Sequence, residues 1–189
     1  MDSVRSVPPA KHLGLTSENA VAKSLWVLAF AVLTAIGAQI EIPLKPVPLT
    51  FQTFFVLLSG AFLGRRNGFL SMSLYLLMGV AGLPVYAGAS AGAHVLLGPS
   101  GGYLLAFPFA AFTVGYLVSM MHSRLFVILA MATGLILIFL LGMIQLNFVY
   151  FHSWSESLKS GLLAFSLWDI VKLAAASSIY SQFLERREH

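Results

Sequence analysis

The sequence predicts an all-α integral membrane protein with six transmembrane helices. Of its 189 residues, 58% are hydrophobic and only 10% are charged, whereas soluble domains carry about 45–50% apolar and about 25% charged residues. This charge content is too low to cover a soluble surface. Long apolar runs without period-2 alternation favour helices over a β-barrel, because backbone polar groups in lipid must be satisfied within each segment. The absence of cysteine excludes a disulfide scaffold.

Six apolar segments alternate with polar or irregular connections. Residues 1–23 are polar and contain a Pro-Pro pair, which predicts a flexible cytoplasmic tail, and residues 24–189 form the predicted six-helix membrane domain. At about 20 residues for each crossing, the apolar content is sufficient for five or six helices. The predicted segments are 24–40, 49–63, 69–82, 103–121, 125–151 and 161–184.

The connections explain where each segment ends. Three prolines at 43, 46 and 48 exclude a helix interior and predict a stiff, extended loop after the first segment. Residues 64–68 form a basic turn with glycine at both ends, and residues 83–102 form a long connection rich in small residues. The fourth segment contains Pro108, and a polar, amphipathic stretch separates the fifth segment from the sixth.

The positions of the basic residues predict the topology. Placing both termini on one side collects eight basic residues there, and leaves only Lys45 and Lys159 on the other. By the positive-inside rule both termini are cytoplasmic, in a multi-pass protein of the plasma (inner) membrane. The net charge of +4 is therefore a topology signal and does not indicate nucleic-acid binding. The eight residues are Arg5, Lys11, Lys23, Arg65, Arg66, Arg124, Arg186 and Arg187.

Two charged residues lie inside the sixth segment. Asp169 and Lys172 are three residues apart and so share one helix face, close enough to pair. Each costs about 2.5–3.5 kcal/mol at mid-membrane, so such residues indicate a functional site by default. One interpretation is a structural ion pair that holds the bundle together. The other is a ligand site in a polar cavity, for a small molecule with N–H donors and an acceptor or carboxylate.

The long connection carries two further motifs. Residues 88–92 match G-x-S-x-G around Ser90, with His94 four residues on, which permits the hypothesis of an intramembrane serine hydrolase. The flanking elements do not fit a nucleophile elbow, and the small residues also allow close backbone approach to a ligand. Residues 98–103 open the fourth helix, where free N–H groups attract anionic or acceptor groups, although a plain helix entry with glycine spacing explains them equally well. Tyr86 and Tyr103 are candidates to flank an apolar ring.

Small residues one turn apart, Ala31 and Ala35, give the first helix a flat face for internal packing or for docking another membrane protein. No Gly-Lys dipeptide is present, so the chain lacks a P-loop. The five histidines show no metal-ligand spacing, and no metal site is predicted.

Four ordered motifs resemble the BioY family, the biotin-specific substrate-binding (S) components of energy-coupling-factor (ECF) transporters. They are AIGAQI at 35–40, PVPLTFQT at 46–53, G-x-x-GLPVYAG at 79–88 and GPSGGYL at 98–104. The run from Asp169 through Lys172 to Ala176 looks like the D-x-x-K-x-x-x-A signature of that family.

The resemblance implies an S-component-like six-helix bundle that captures biotin from the extracytoplasmic side. It implies a transmembrane coupling protein and two ATP-binding-cassette ATPases as partners, with ATP used only by the partners and no cofactor on this chain. Ala31 and Ala35 would be the docking face. An S component for thiamine or riboflavin is the alternative with the same fold. The implied biotin-binding residues are Asp169, Lys172, Ser90, Tyr86, Gly88, Gly101, Tyr103 and Gln52.

Overall fold

The computed structural model describes residues 19–120, 123–164 and 167–188, and these residues form a helical bundle with one short hairpin. Most of the predicted tail, residues 1–18, lies outside the described residues, as does the predicted end of the fourth segment at Met121. The helices begin and end close to the predicted apolar segments, with the differences given below.

Helix α1 spans Ala20–Gln39, so residues 20–23 are helical and the assignment of these four residues to the tail is wrong. The reason is an N-cap, because the Asn19 side chain accepts a hydrogen bond of 2.9 Å from the Val21 backbone N–H.

The small-residue face of α1 packs inside the bundle. Ala31 is completely buried, in a cluster with Val56, Met72 and Ala110, and Ala35 packs against the same cluster. Ala31 has no exposed surface, so its predicted role in docking a partner is corrected, whereas Ala35 is only partly buried and its docking role stays a prediction. Internal packing, the other interpretation of this face, is what the structure shows.

A two-stranded hairpin follows α1 where a stiff, extended loop is predicted. Strand β1, Glu41–Ile42, pairs antiparallel with β2, Leu49–Thr50, in a register that places Glu41 opposite Thr50. The prolines at 43, 46 and 48 all fall between the two strands, where their missing N–H groups interrupt no ladder hydrogen bond. The hairpin brings Thr50 to the start of the next helix.

The predicted second and third segments form one helical run, α2, Gln52–Val80, that reverses direction at a single residue. Gly64 has φ 75° and ψ 174°, a conformation that side chains disfavour. The two halves then pack closely enough that a Cβ on Gly68 would lie 3.0 Å from the Gly60 Cα. The predicted basic turn is thus reduced to one residue, since the helix resumes at Arg65.

The long connection after α2 contains two short elements. A 3₁₀ turn spans Ala87–Ala89 and the five-residue helix α3 spans Ala93–Leu97. Helix α4, Gly101–Val118, then continues through Pro108, which is buried.

Helix α5 spans Arg124–Leu146 and is extended by a π-helical turn, Asn147–Phe151. The amphipathic stretch after it is itself a helix, α6, Trp154–Ala164, and the last helix α7 spans Leu167–Glu188. The predicted start of the sixth segment at residue 161 is therefore wrong. Residues 161–164 belong to α6, and α7 is described from Leu167 on.

Within the part of the chain that is described, three helical runs are long and apolar enough to cross a membrane: Ala20–Gln39, Gly101–Val118 and Arg124–Phe151. The halves of α2 and helix α7 coincide with the other predicted crossings; the second half of α2 and helix α7 carry charged residues, and the first half of α2 carries none. Large apolar side chains such as Val21, Leu25 and Leu125 are more than half exposed, which fits a surface facing lipid. The count of six crossings stays a prediction.

Candidate functional site: a cavity with a buried ion pair

A cavity of about 250 Å³ lies inside the bundle, between β2, the start of α2, the connection before α4, and helices α4, α5 and α7. One part of its wall is polar and the rest is apolar and aromatic. The polar side chains are Thr50, Gln52, Thr53, Ser90, Ser100, Asp169 and Lys172, and the larger apolar ones are Val47, Leu104, Phe107, Ile138 and Phe139.

Asp169 and Lys172 form an ion pair in this wall, with 2.6 Å between Lys172 Nζ and Asp169 Oδ1. Their side chains are only 2% and 3% exposed. Lys172 Nζ also donates to the Thr50 carbonyl oxygen at 2.9 Å and to Thr53 Oγ1 at 2.7 Å. All three ammonium hydrogens therefore have acceptors, which is what a buried cation requires. The pair fastens α7 to the beginning of α2 and holds a carboxylate at the cavity surface.

Gln52 lies in a chain of hydrogen bonds beside the ion pair. Thr50 Oγ1 donates to Gln52 Oε1 at 2.7 Å, and Gln52 Nε2 donates to the Tyr75 hydroxyl. Tyr75 in turn donates to the Val85 carbonyl oxygen at 3.1 Å. These hydrogen bonds join the first half of α2 to the second half and to Val85 in the connection before α4. They therefore fix the polar wall of the cavity with respect to that connection.

Tyr86 forms the wall on the side of the connection. Its hydroxyl donates to the Leu76 carbonyl oxygen at 2.8 Å, and its ring lies against Gly79 and edge-on to Tyr75. Burial raises the pKa of the Tyr86 hydroxyl above its ordinary value, so the group is neutral at physiological pH. Tyr86 is thus a rigid wall residue.

Tyr103 differs from Tyr86 because its hydroxyl oxygen is buried and has no hydrogen-bond partner among the described residues. The ring is fixed edge-on to Phe139, with 6.0 Å between centroids, and lies against Gly142. A buried hydroxyl without a partner costs about 1–3 kcal/mol. Because Tyr103 lines the cavity, a polar group on a bound molecule would satisfy it.

Six of the eight predicted binding residues line this one cavity, and Gly88 and Gly101 do not. Gly88 has φ 63°, and a Cβ there would be directed towards Glu41 Oε1, 3.5 Å away. A Cβ on Gly101 would overlap the Leu96 carbonyl oxygen, so this glycine permits α3 and α4 to approach closely. Neither glycine lies in the cavity lining, and their part in biotin binding stays a prediction.

Ser90 lines the cavity, but its hydroxyl donates to the Ala87 carbonyl oxygen at 2.7 Å. Within the described residues no hydrogen bond joins Ser90 to His94. A serine nucleophile needs a base within hydrogen-bond reach, so the geometry does not support the hydrolase hypothesis.

Several lining residues were not singled out from the sequence. Thr50 and Thr53 belong to the 46–53 motif, and that motif is the sequence signal that could have identified them as lining residues. Phe107, Ile138 and Phe139 lie in continuous apolar helices, where no local pattern separates a cavity wall from a lipid-facing surface.

The arrangement suits one small molecule that is polar at one end and apolar elsewhere. The carboxylate of Asp169 accepts hydrogen bonds from N–H donors, the nearby ammonium balances its charge, and the Tyr103 hydroxyl offers a further donor or acceptor. The rings of Phe107 and Phe139 supply apolar contact. Charged groups of this kind inside a membrane protein indicate a binding or transport path.

Known proteins resemble this chain in sequence and in fold. A sequence model of the BioY family matches residues 10–189. A biotin transporter BioY from Thermotoga maritima is 42% identical over 150 residues, which are 79% of this chain and 88% of the relative. A probable biotin transporter BioY from Pyrococcus horikoshii is 42% identical over 157 residues, with the same shares.

A crystal structure of the S-component for biotin from an ECF-type ABC transporter has a similar fold. Its TM-score is 0.82 and its sequence is 26% identical, and the alignment covers 90% of this chain and 94% of that one.

Proposed function

The chain belongs to the BioY family, and we propose that it is the biotin-binding S component of an ECF-type transporter. The observation that carries the proposal is the Asp169–Lys172 ion pair at the wall of an otherwise largely apolar cavity. The relatives are named as biotin transporters, and the chain is a transporter component and not an enzyme.

The ureido end and the apolar middle of biotin match the two parts of the wall. Its ureido N–H groups donate to the Asp169 carboxylate, while its apolar ring and chain lie against Phe107, Ile138 and Phe139. Lys172 already donates three hydrogen bonds, so its first role is to hold and neutralise that carboxylate. A ureido or carboxylate oxygen of biotin receives a hydrogen bond from Lys172 by replacing one threonine acceptor. The unsatisfied Tyr103 hydroxyl takes a remaining polar atom.

The proposal includes the predicted topology and partners. Six crossings with both termini in the cytoplasm place the proline hairpin and the long connection outside the plasma membrane, so biotin is captured there. The chain has no P-loop; two ATP-binding-cassette ATPases and a transmembrane coupling protein therefore supply the energy. The likeness to an S component of an ECF-type transporter supports this division. Biotin is the transported ligand and no cofactor is required.

Purified full-length protein in lipid nanodiscs is expected to bind radiolabelled biotin saturably, with one site for each chain. Unlabelled biotin should displace the label, and thiamine and riboflavin at the same concentrations should not, because neither presents a ureido ring to Asp169. Equilibrium dialysis measures both. Saturable binding of labelled thiamine or riboflavin in place of biotin would assign a different vitamin to the same fold, and absence of saturable biotin binding would contradict the proposal.

The Tyr103→Phe variant is expected to bind biotin about 5- to 10-fold more weakly, because it removes the hydroxyl that a ligand would satisfy. The empty variant should unfold at the same temperature as the wild type or a higher one, since the lost hydroxyl has no partner there. Thermal unfolding with and without biotin measures both effects.

Tyr116→Phe is the matched control, because it makes the same chemical change on the same helix at an exposed position outside the cavity lining. It should leave the affinity unchanged. Equal affinities in Tyr103→Phe and the wild type would remove Tyr103 from the site.

A further inference from the structure

A short turn, residues 86–90, separates the cavity from the surface. Tyr86, Ala87 and Ser90 line the cavity, while Gly88 and Ala89 between them are exposed. The wall is therefore one backbone segment thick at this point. The rest of the lining comes from helices α2, α3, α4, α5 and α7, from β2, and from the irregular residues Val47, Pro48 and Ser100.

The backbone of this turn is strained. Ala89 has φ 54°, in the left-handed region that costs a non-glycine residue about 1–2 kcal/mol. The turn is closed on itself by hydrogen bonds from the Tyr86 N–H to the Ser90 carbonyl and from the Ser90 N–H to the Ala87 carbonyl, at 3.1 and 3.3 Å. A strained conformation persists when the surrounding structure holds it.

Gln39, the last residue of α1, holds the turn from outside. Its Nε2 donates to the Tyr86 carbonyl oxygen at 3.1 Å, and its Oε1 accepts from the Ala89 N–H at 3.0 Å. The same Nε2 also donates to the Ala35 carbonyl oxygen at 3.2 Å, which orients the amide on its own helix. One side chain thus joins both ends of the strained segment to α1, across about 50 residues of sequence.

We infer that Gln39 is a positioning residue that keeps the 86–90 turn closed over the cavity and so sets how fast the ligand enters and leaves. This inference rests on the proposed function, with biotin as the ligand. Gln39 is not in the cavity lining, so it acts through the turn. The two hydrogen bonds from Gln39 to Tyr86 and Ala89 are present without a ligand. Removing them therefore destabilises the closed conformation of the turn in the empty and in the biotin-bound protein.

The Gln39→Ala variant is therefore expected to raise the association and dissociation rate constants of biotin together, each about 5-fold, while the dissociation constant changes less than 2-fold. The measurement uses full-length protein in nanodiscs and radiolabelled biotin, with filter binding for both rates. Gln182→Ala, at an exposed glutamine near the end of α7, is the matched control and should match the wild type. Unchanged rates in Gln39→Ala, or a faster dissociation alone, would overturn the inference.

Amide exchange of Ala89 provides a second test that needs no ligand. In Gln39→Ala the Ala89 N–H loses its acceptor and should exchange several-fold faster. In Gln39→Glu the carboxylate still accepts from Ala89 but cannot donate to Tyr86, so Ala89 should stay protected. Equal exchange in all three proteins would overturn the inference even if biotin binds, whereas absence of biotin binding by the wild type would contradict only the proposed function.

Discussion

Replacing Asp169 with alanine is expected to abolish detectable biotin binding and to lower the free energy of unfolding by about 3–5 kcal/mol. The stability falls because Lys172, only 3% exposed, would remain as a buried cation without its counter-ion. Binding falls because the carboxylate supplies charge-assisted hydrogen bonds of about 1.5–3 kcal/mol each, so two of them correspond to at least a 100-fold loss. Equilibrium binding and unfolding of the same purified preparation measure the two effects.

The double variant Asp169→Leu, Lys172→Met separates binding from stability. It replaces both charges with apolar side chains of similar size, a change that is often neutral or stabilising for a buried pair. We expect the free energy of unfolding to return to within about 1 kcal/mol of the wild-type value, while biotin binding remains absent. A double variant that is stable and binds biotin normally would show that the ion pair only holds the bundle together, and would contradict the site assignment.

The pairing of Asp169 with Lys172 was predictable from the sequence, because residues three apart share a helix face and unpaired charges are costly in a membrane. The hydrogen bonds from Lys172 to Thr50 and Thr53 were not predictable from the sequence. Thr50 and Thr53 are 122 and 119 residues away from Lys172. They reach it only because the hairpin and the start of α2 pack against α7, a long-range arrangement that no local pattern encodes.

The fold shows the same division between local and long-range information. Apolar length predicted where α1, α4 and α5 lie, and Gly64 marks the reversal within α2. Hydropathy gives no signal for the start of α6 at Trp154, because the apolar run of that region begins only at residue 161. Ala31 is a further example, since a small-residue face is compatible with internal packing and with docking, and only the packed structure shows which neighbour it meets.

The Gly79→Ala variant is expected to lose about 3 kcal/mol of stability and to bind biotin at least 10-fold more weakly. A Cβ at this position would overlap the ring of Tyr86, which is 1% exposed and fixed by its hydroxyl hydrogen bond. Displacing the ring breaks the hydrogen bond from its hydroxyl to Leu76 and forces side chains off their packed positions, a change that typically costs 1–3 kcal/mol or more. It also moves a wall of the cavity. Thermal unfolding and equilibrium binding measure the two losses.

Gly98→Ala is the matched control for Gly79→Ala, because the nearest atoms to a Cβ there lie 3.4 Å away and its φ of −86° is allowed for alanine. The free energy of unfolding of Gly98→Ala should be within about 0.5 kcal/mol of the wild-type value. A double-mutant cycle then identifies the cause. In a Tyr86→Ala background the space for a Cβ is open, so Gly79→Ala should cost less than about 1 kcal/mol, giving a coupling of about 2 kcal/mol between the two sites. Equal costs in the two backgrounds would mean that Gly79 is required for α2 itself and not for the position of Tyr86.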